Sequence, residues 1–252
     1  MTINKLTLAG ALTGILMTSC NSFDPEKVAK EWDVIQIGNQ QVVPGPNAPY
    51  IGFDKGAIYG FTGCNRINGG IELDGDKFSV QNVGTTMKFC PNAIYEQVFL
   101  KALGEGEQIK ASEKGFNLLD AEGNTLATFS PRSLDLNELE GQWNLSNLNG
   151  KEVAQDERTP FLLFNIKEKL MSGFTGCNRL NESLDTEALE NCTADFTKMA
   201  MTRKLCDNSE FEADFVDVLN YSKSIRISDN KLFIYSEDDG TYLIFDKAVT
   251  EE

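Results

Sequence analysis

Short runs in which apolar and polar residues alternate recur along most of the chain, and this pattern predicts β-strands. The runs Trp32 to Ile37 and Trp143 to Leu148 lead into a Gly-Asn and an Asn-Gly pair, which are suited to tight turns. Further short runs are Tyr50 to Asp54, Ala57 to Gly63 and Ile67 to Leu73. Because the strands are short and no strand–helix–strand rhythm occurs, the pattern predicts an antiparallel barrel or sandwich.

One stretch in each half of the chain has a helical pattern instead. From Ala93 to Leu103 the apolar residues recur at spacings of three and four and form one stripe, and Glu210 to Tyr221 repeats it. Asn92 precedes the first stretch and Asn208 or Ser209 precedes the second, and these residue types are favoured N-caps. We therefore expect one helix per half, packed by its apolar stripe against the strands.

The two halves are copies of one unit. The residues G-F-T-G-C-N-R-I-N at positions 60–68 return as G-F-T-G-C-N-R-L-N at 173–181, with eight of nine positions identical. The match extends on both sides, with small insertions in the second copy that fit best in loops. A unit of this size buries its own core. The repeat therefore predicts two independently folding domains, residues 27–132 and 133–252.

The order of motifs in each copy is G-C-N-R, then T-x-x-x-C, then E-x-x-F-x-x-x-L. The motifs lie at Gly63 to Arg66, Thr86 to Cys90 and Glu96 to Leu103, and again at Gly176 to Arg179, Thr202 to Cys206 and Glu212 to Leu219. This order resembles the META domain of HslJ-type heat-shock lipoproteins and covers nearly all of the chain after residue 27. The resemblance implies a mainly β (α+β) protein of two antiparallel, β-barrel-like META domains, each with one packed helix. It implies a role in the bacterial envelope but assigns no biochemical activity.

The N-terminus has the features of a signal peptide. A basic residue precedes the apolar run Leu6 to Met17, which is too short to cross a bilayer as a helix. The residues before Cys20 resemble a bacterial lipobox, in which cleavage leaves that cysteine as the lipid-bearing first residue. The alternatives are an ordinary signal peptide cut nearby and a buried core segment. We expect residues 1–19 to be removed, Cys20 to carry a membrane anchor, and residues 20–26 to act as a tether.

Composition narrows the functional classes further. A net charge of −15 repels phosphate backbones, so nucleic-acid binding is not expected. Histidine is absent, which excludes imidazole-based nucleophile systems and HExxH zinc sites. No phosphate-binding glycine loop lies between a strand and a helix, and no pair of carboxylates stands out. The sequence thus predicts a protein that is not an enzyme and has no metal or cofactor.

Five cysteines remain besides Cys20, which is expected to carry lipid. Cys64 and Cys90 match Cys177 and Cys206 in position, and export places all of them in an oxidising compartment. The economical pairing is one disulfide inside each copy. Two metal sites are the alternative, although two cysteines without histidine make at most half a zinc site. Cys192 has no counterpart, so it is an odd thiol that is either buried and inert or able to exchange with a neighbour.

Both copies keep one polar pair beside the first cysteine, Asn65-Arg66 and Asn178-Arg179. One interpretation is a binding edge, in which arginine takes a carboxylate and asparagine takes backbone-like groups. The other interpretation is local. Asparagine tolerates the left-handed conformation of a bulge or turn, while arginine stacks over barrel side chains or pairs with a nearby carboxylate.

These observations together predict a non-catalytic lipoprotein of the cell envelope, anchored to the outer membrane, that contacts another envelope protein. A role in stress tolerance or envelope maintenance follows from the resemblance alone. The alternative is an inhibitor of protease or lysozyme type, or a barrel that holds a small apolar ligand. A rigid protruding loop would favour the inhibitor, an open apolar cavity the carrier, and a filled barrel the structural role.

Overall fold

The computed structural model describes residues 23–91, 93–207 and 209–248. The expected signal peptide at 1–19, the lipid-bearing Cys20, the first part of the tether and the N-caps Asn92 and Asn208 lie outside the described residues. In the described part of the chain, no helix is long and apolar enough to cross a membrane.

Antiparallel strand is the commonest regular structure of the described chain and far exceeds helix, which confirms the mainly β prediction. The first half contains β1 (Glu31–Ile37), β2 (Gln40–Gln41), β3 (Tyr50–Asp54), β4 (Ala57–Phe61), β5 (Arg66–Asp74), β6 (Lys77–Thr85), β7 (Gln108–Ser112), β8 (Gly115–Leu119) and β9 (Thr125–Pro131), with helices α1 (Pro25–Val28) and α2 (Glu96–Glu105). The second half contains β10 (Gly141–Leu148), β11 (Lys151–Glu152), β12 (Phe161–Asn165), β13 (Leu170–Phe174), β14 (Arg179–Ser183), β15 (Ala200–Met201), β16 (Ser224–Ser228), β17 (Lys231–Tyr235) and β18 (Tyr242–Lys247), with helices α3 (Leu136–Leu139), α4 (Thr186–Glu190) and α5 (Ser209–Tyr221).

The strands of the first half form a ring. Their order is β2-β1-β3-β4-β5-β6-β7-β8-β9, and β1 also pairs with β9, so the sheet closes on itself. The weakest junction is between β6 and β7, which share the single pair Lys77 and Gln108. The long hairpin of β5 and β6 therefore completes the ring.

The sheet of the second half is open. Its order is β15-β14-β13-β12-β10-β18-β17-β16, and within the described residues no strand pairing joins β15 to β16. A short segment at residues 192–194, the closing segment, covers the edge of β16 instead. Thr193 bridges Ser224, and the Ile225 amide donates to the Cys192 carbonyl at 3.1 Å. The second copy thus uses α4 and the closing segment where the first copy has β6.

Aromatic side chains fill the interior of the first half. Trp32 packs edge-on against Phe116 with ring centroids 4.9 Å apart, and Phe116 stacks on Phe129 at 4.5 Å. In the second half Phe215 of α5 meets Phe245 of β18 at 6.3 Å. The expected packing of one apolar helix face against the strands is therefore present in both halves.

Helix α2 begins at Glu96, three residues later than expected, and α5 begins at Ser209. Tyr95 precedes α2, and its buried hydroxyl accepts a hydrogen bond from the Val43 amide at 3.1 Å. Burial of this side chain holds the preceding residues in a turn rather than in helix. Val98, which was expected to belong to the buried apolar stripe, is 42% exposed.

The junction between the halves is packed. The Leu134 side chain is buried in the core of the second half, and its amide donates to the Glu190 carbonyl at 3.0 Å. Each sheet draws its strands from one half, yet the connecting chain lies against the second half.

Candidate functional site

An asparagine side chain organises the repeated motif of the first half. The Asn65 side chain is buried, and its Oδ1 accepts hydrogen bonds from Thr86 Oγ1 at 2.8 Å and from the Lys88 amide at 2.7 Å. Its Nδ2 donates to the Lys88 carbonyl at 3.2 Å and to Glu96 Oε1 at 2.8 Å. One amide group therefore bonds both backbone groups of residue 88, as a neighbouring strand would.

The second half repeats this arrangement around Asn178. Its Oδ1 accepts from Thr202 Oγ1 at 2.8 Å and from the Lys204 amide at 2.7 Å. Its Nδ2 donates to the Lys204 carbonyl at 3.2 Å and to Glu212 Oε1 at 2.9 Å. We call these two sets of contacts the asparagine clamps, and their agreement shows that both copies fix the same loop.

Glycine, and not asparagine, supplies the left-handed backbone of the motif. Gly63 has φ 97° and Gly176 has φ 92°, whereas neither Asn65 nor Asn178 has a positive φ. A Cβ on Gly63 would lie 2.6 Å from the Asn47 carbonyl oxygen, so the close approach also requires glycine. The local interpretation of the asparagines thus had the wrong cause, because their side chains act through hydrogen bonds.

Both expected disulfides are confirmed. Cys64 bonds Cys90 and Cys177 bonds Cys206, with Cα atoms 5.9 and 6.0 Å apart. Each disulfide holds the end of the loop whose middle is held by the asparagine clamp. The loops at 86–90 and 202–206, which we call the apolar loops, are therefore fixed at two points.

Each apolar loop presents a large apolar side chain to solvent. Phe89 is 91% exposed, its counterpart Leu205 is fully exposed, and Met87 beside Phe89 is 98% exposed. A single exposed apolar side chain needs no explanation. Here the exposure recurs at the same position of both copies, directly before the bonded cysteine, which marks the loops as candidate contact surfaces.

The motif carries an arginine in each copy, and these two arginines have different surroundings. Arg66 Nη2 lies 3.1 Å from Asp238 Oδ1 of the second half, and Lys88 Nζ donates to the Asp238 carbonyl at 3.1 Å. Arg179 is exposed, and its guanidinium contacts no side-chain partner among the described residues. The sequence identified both arginines as candidate binding residues, but it did not predict that their environments differ.

A buried ion network that was not expected from the sequence joins the halves. The Arg132 side chain is 6% exposed and contacts Asp33 Oδ1 at 2.9 Å, Glu237 Oε1 at 3.2 Å and Glu31 Oε2 at 3.3 Å. Its guanidinium also lies over the Tyr50 ring, 3.9 Å from the centroid. Arg132 thus ties strands of both halves together.

Arg226 is the second cation of this network. Its Nε lies 2.9 Å from Asp33 Oδ2, and its Nη1 donates to the Cys192 carbonyl at 3.1 Å. Burial acts to lower the pKa of Arg226, but Asp33 together with Tyr235 and Cys192 outweighs burial and raises it. Burial raises the pKa of the adjacent Tyr235 to about 12, against the lowering effect of Arg226. The signal in the sequence was an arginine between two isoleucines in β16.

Cys192 is a buried free thiol. Burial raises its pKa to about 11, although nearby Arg226 acts in the opposite direction. Because the thiolate is the reactive form, this environment makes the thiol inert at neutral pH. Of the two alternatives for the odd cysteine, the structure favours the buried and inert one.

Two open clefts lie between the halves. One of about 630 Å³ is lined by residues that include Val42, Pro44 and Phe233, and another of about 780 Å³ is lined by residues that include Lys30 and Asp185. Within the described residues, no three His, Cys, Asp or Glu side chains are close enough to hold a metal ion. The candidate binding features described so far are the apolar loops and the charged side chains near them.

The protein is a tandem of two small antiparallel β domains. Each domain has the same asparagine clamp, the same disulfide and one packed helix, and each holds one loop in a fixed position. The chain belongs to the META domain family, whose family model matches residues 26–133 and 135–249. No curated protein matches the chain.

Three solved structures are similar to about half of the chain. An NMR structure of a protein from Burkholderia xenovorans is 21% identical, with a TM-score of 0.34, and the match covers 51% of this chain and 97% of that one. A second NMR structure is 23% identical, with a TM-score of 0.36 and coverage of 43% and 89%. A crystal structure of a DUF4847 family protein from Bacteroides vulgatus is 13% identical, with a TM-score of 0.32 and coverage of 44% and 95%.

Proposed function

We propose that this protein is a non-catalytic lipoprotein of the bacterial envelope that binds another envelope protein through its two apolar loops. The observation that carries the proposal is the exposure of Phe89 and Leu205 at the same position of both copies, on loops fixed by a disulfide and an asparagine clamp. Phenylalanine and methionine, which occur at Phe89 and Met87, are enriched at protein interfaces, where a few anchor side chains carry most of the binding energy.

The rigidity of the loops supports this proposal. Binding costs free energy whenever a loop must be ordered, at about 0.5–1.5 kcal/mol for each side chain that is immobilised. The backbone groups of Lys88 and Lys204 are already bonded by the clamps. A partner therefore meets a surface that has been ordered in advance.

The contacts of Arg226 support a protein that acts without catalysis. Arg226 pairs with Asp33 and donates to the Cys192 carbonyl, so its charge is used in the junction between the halves. Arg226 and Tyr235 also line the cleft of about 630 Å³, but histidine, the commonest general base, is absent from the sequence.

The site of action follows from the N-terminal pattern. Lipid on Cys20 would hold both domains near the outer membrane, and a stress-related role is what the family resemblance implies. Mass spectrometry of the mature N-terminus is expected to show acyl mass on Cys20, and Cys20→Ala is expected to move the protein to the soluble fraction. An unmodified N-terminus at another residue would remove the anchor from the proposal.

A protease inhibitor is the second candidate, and the apolar loops favour it specifically. An exposed apolar side chain beside a disulfide, on a backbone held by an internal asparagine, is a shape that fits the apolar pocket of a protease. A dose-dependent loss of protease activity that Leu205→Ser relieves would support this candidate. The carrier alternative is less favoured, because aromatic rings such as Phe116 fill the interior.

Site-specific photo-cross-linking in cells tests the main proposal. A photoreactive residue placed at 89 or 205 is expected to give a discrete adduct with an envelope protein. Glu113 and Glu168 are exposed residues on turns away from the apolar loops and serve as control positions. Adducts of equal yield at all four positions, or none at 89 and 205, would contradict the proposal.

A further inference from the structure

The two halves join through unlike surfaces. The first half contributes the Arg66 side chain and its neighbours at the start of β5, and the second half contributes the turn between β17 and β18. A contact of this heterologous kind leaves one copy of each surface unused, because every module carries both. The unused counterpart of the Arg66 surface lies on the second half.

The first half shows what this surface binds. Arg66 Nη2 contacts the Asp238 carboxylate at 3.1 Å, and Lys88 Nζ donates to the carbonyl of the same residue at 3.1 Å. Tyr50 Oη lies 3.3 Å from Arg66 Nη1 and steadies the guanidinium. The bound element is an acidic β-turn, which is recognised by one carboxylate and one carbonyl.

The second half keeps the frame of this site. The Arg179 amide donates to a threonine hydroxyl at 3.1 Å, as the Arg66 amide does. Phe161 and Phe174 lie 6.2 Å apart, as Tyr50 and Phe61 do at 6.3 Å, but Phe161 lacks the hydroxyl that contacts Arg66 in the first half. Both cations, Arg179 and Lys204, are exposed. The two cations are thus presented without an occupant among the described residues.

The charge around the second site differs from the first. The residues that flank Trp32 are Glu31 and Asp33, whereas the residues that flank Trp143 are Gln142 and Asn144. The second half therefore lacks two carboxylates that the first half carries beside its tryptophan. Carboxylates that would repel an acidic ligand are absent from these two positions.

We propose that Arg179 and Lys204 form a docking site for an acidic β-turn of another protein. The proposal deepens the proposed function, on which it rests, because Lys204 belongs to the second apolar loop. A second copy of this chain fits less well, since the Asp33 carboxylate that holds the buried Arg226 has no counterpart at Asn144. Two chains of equal negative charge also repel each other.

NMR titration of the isotope-labelled full chain tests this site with a defined probe. The probe is a backbone-cyclised peptide of residues 235–242, whose ends are paired across the strands in the structure. We expect shifts at the Arg179 side chain and at the amides of residues 202–205. Loss of this exposed ion pair through Arg179→Ala, or Asp238→Asn in the peptide, is expected to weaken binding about threefold. Lys167→Ala, an exposed cation elsewhere in the same half, serves as the matched control and is expected to leave binding unchanged.

Two outcomes would overturn the proposal. The first is an absence of shifts at Arg179 at millimolar peptide, or shifts that Arg179→Ala does not alter. The second is concentration-dependent self-association of the full chain that Arg179→Ala abolishes, which would reassign the site to a second copy. Failure here is distinct from failure of the proposed function, because cross-linking at 89 and 205 does not depend on the peptide.

Discussion

Asp33 and Arg226 are separated by 193 positions in the chain, yet their side chains form a two-bonded ion pair. Arg226 Nε lies 2.9 Å from Asp33 Oδ2, and Nη2 lies 3.3 Å from Oδ1. The same Oδ1 contacts Arg132 at 2.9 Å. One carboxylate of the first half thus contacts two buried cations. The orientation of the halves therefore depends on this carboxylate.

Asp33→Ala is expected to destabilise the protein by about 3 kcal/mol, because it leaves two buried arginines short of a partner. Asp246→Ala removes the partner of Lys231 in an exposed pair and is the matched control, with an expected cost below about 1 kcal/mol. Urea unfolding followed by tryptophan fluorescence measures both. Equal costs would show that the Asp33 network does not behave as a buried one.

The raised pKa of the buried Cys192 thiol leads us to expect a loss of stability at alkaline pH. Its pKa is about 11 in the folded protein against 9.0 for an ordinary thiol, so the unfolded state releases the proton first as pH rises. Its contribution is therefore fully present below pH 9 and is lost between pH 9 and about 11, at about 1.4 kcal/mol per pH unit.

The stability difference between the native chain and Cys192→Ala, measured by urea unfolding at a series of pH values, isolates this effect. The difference is expected to be constant below pH 9 and to move in favour of the alanine variant above it. A difference that does not change up to pH 11 would mean that the thiol is not protected from solvent.

The two equivalent tryptophans provide a matched pair of substitutions. Trp143 Nε1 donates to the Leu139 carbonyl at 2.8 Å, whereas Trp32 Nε1 is buried and has no partner within the described residues. Trp143→Phe is therefore expected to cost about 1 kcal/mol more than Trp32→Phe, because it leaves a buried carbonyl unbonded. Thermal and urea unfolding of both variants check this order, and the reverse order would contradict it.

Asn178→Asp tests the asparagine clamp. The substitution removes the Nδ2 donor and places a second carboxylate against Glu212, so we expect a cost of about 2–3 kcal/mol. Reduction of the Cys177–Cys206 disulfide by dithiothreitol is expected to become faster, because the loop before Cys206 loosens. Asn181→Asp adds the same charge at an exposed position of β14 and is the control. Equal reduction rates in both variants would exclude the clamp as the cause.

Features that depend on local pattern or on the repeat could be predicted from the sequence. The apolar stripes of α2 and α5, the turns and the matched cysteines each report on residues near one another in the fold. Two copies in register also made the pairing of Cys64 with Cys90 the economical choice. The prediction and the structure agree for these elements because local preference and tertiary packing favour the same conformation.

Features that depend on which surfaces meet could not be predicted. Strand β6 escaped notice because its alternation ends at Asn82, a residue with φ 52° where its register with β5 shifts. The roles of Arg132 and Arg226 follow from contact between halves, which no spacing in the chain encodes. The burial of Asn65 was missed because its side-chain partners are distant in the chain, in the loop of Thr86 and Lys88 and at Glu96 of α2.

The closing segment has a consequence for how a duplicated chain reaches its native state. Neighbouring modules of similar sequence are prone to exchange strands while they fold, and this produces misassembled chains. The first half seals its sheet with a nine-residue strand, and the second uses a helix followed by residues 192–194. Neither sealing element has the shape to complete the other sheet, so the divergence between the copies gives each half a means of selecting its own strands.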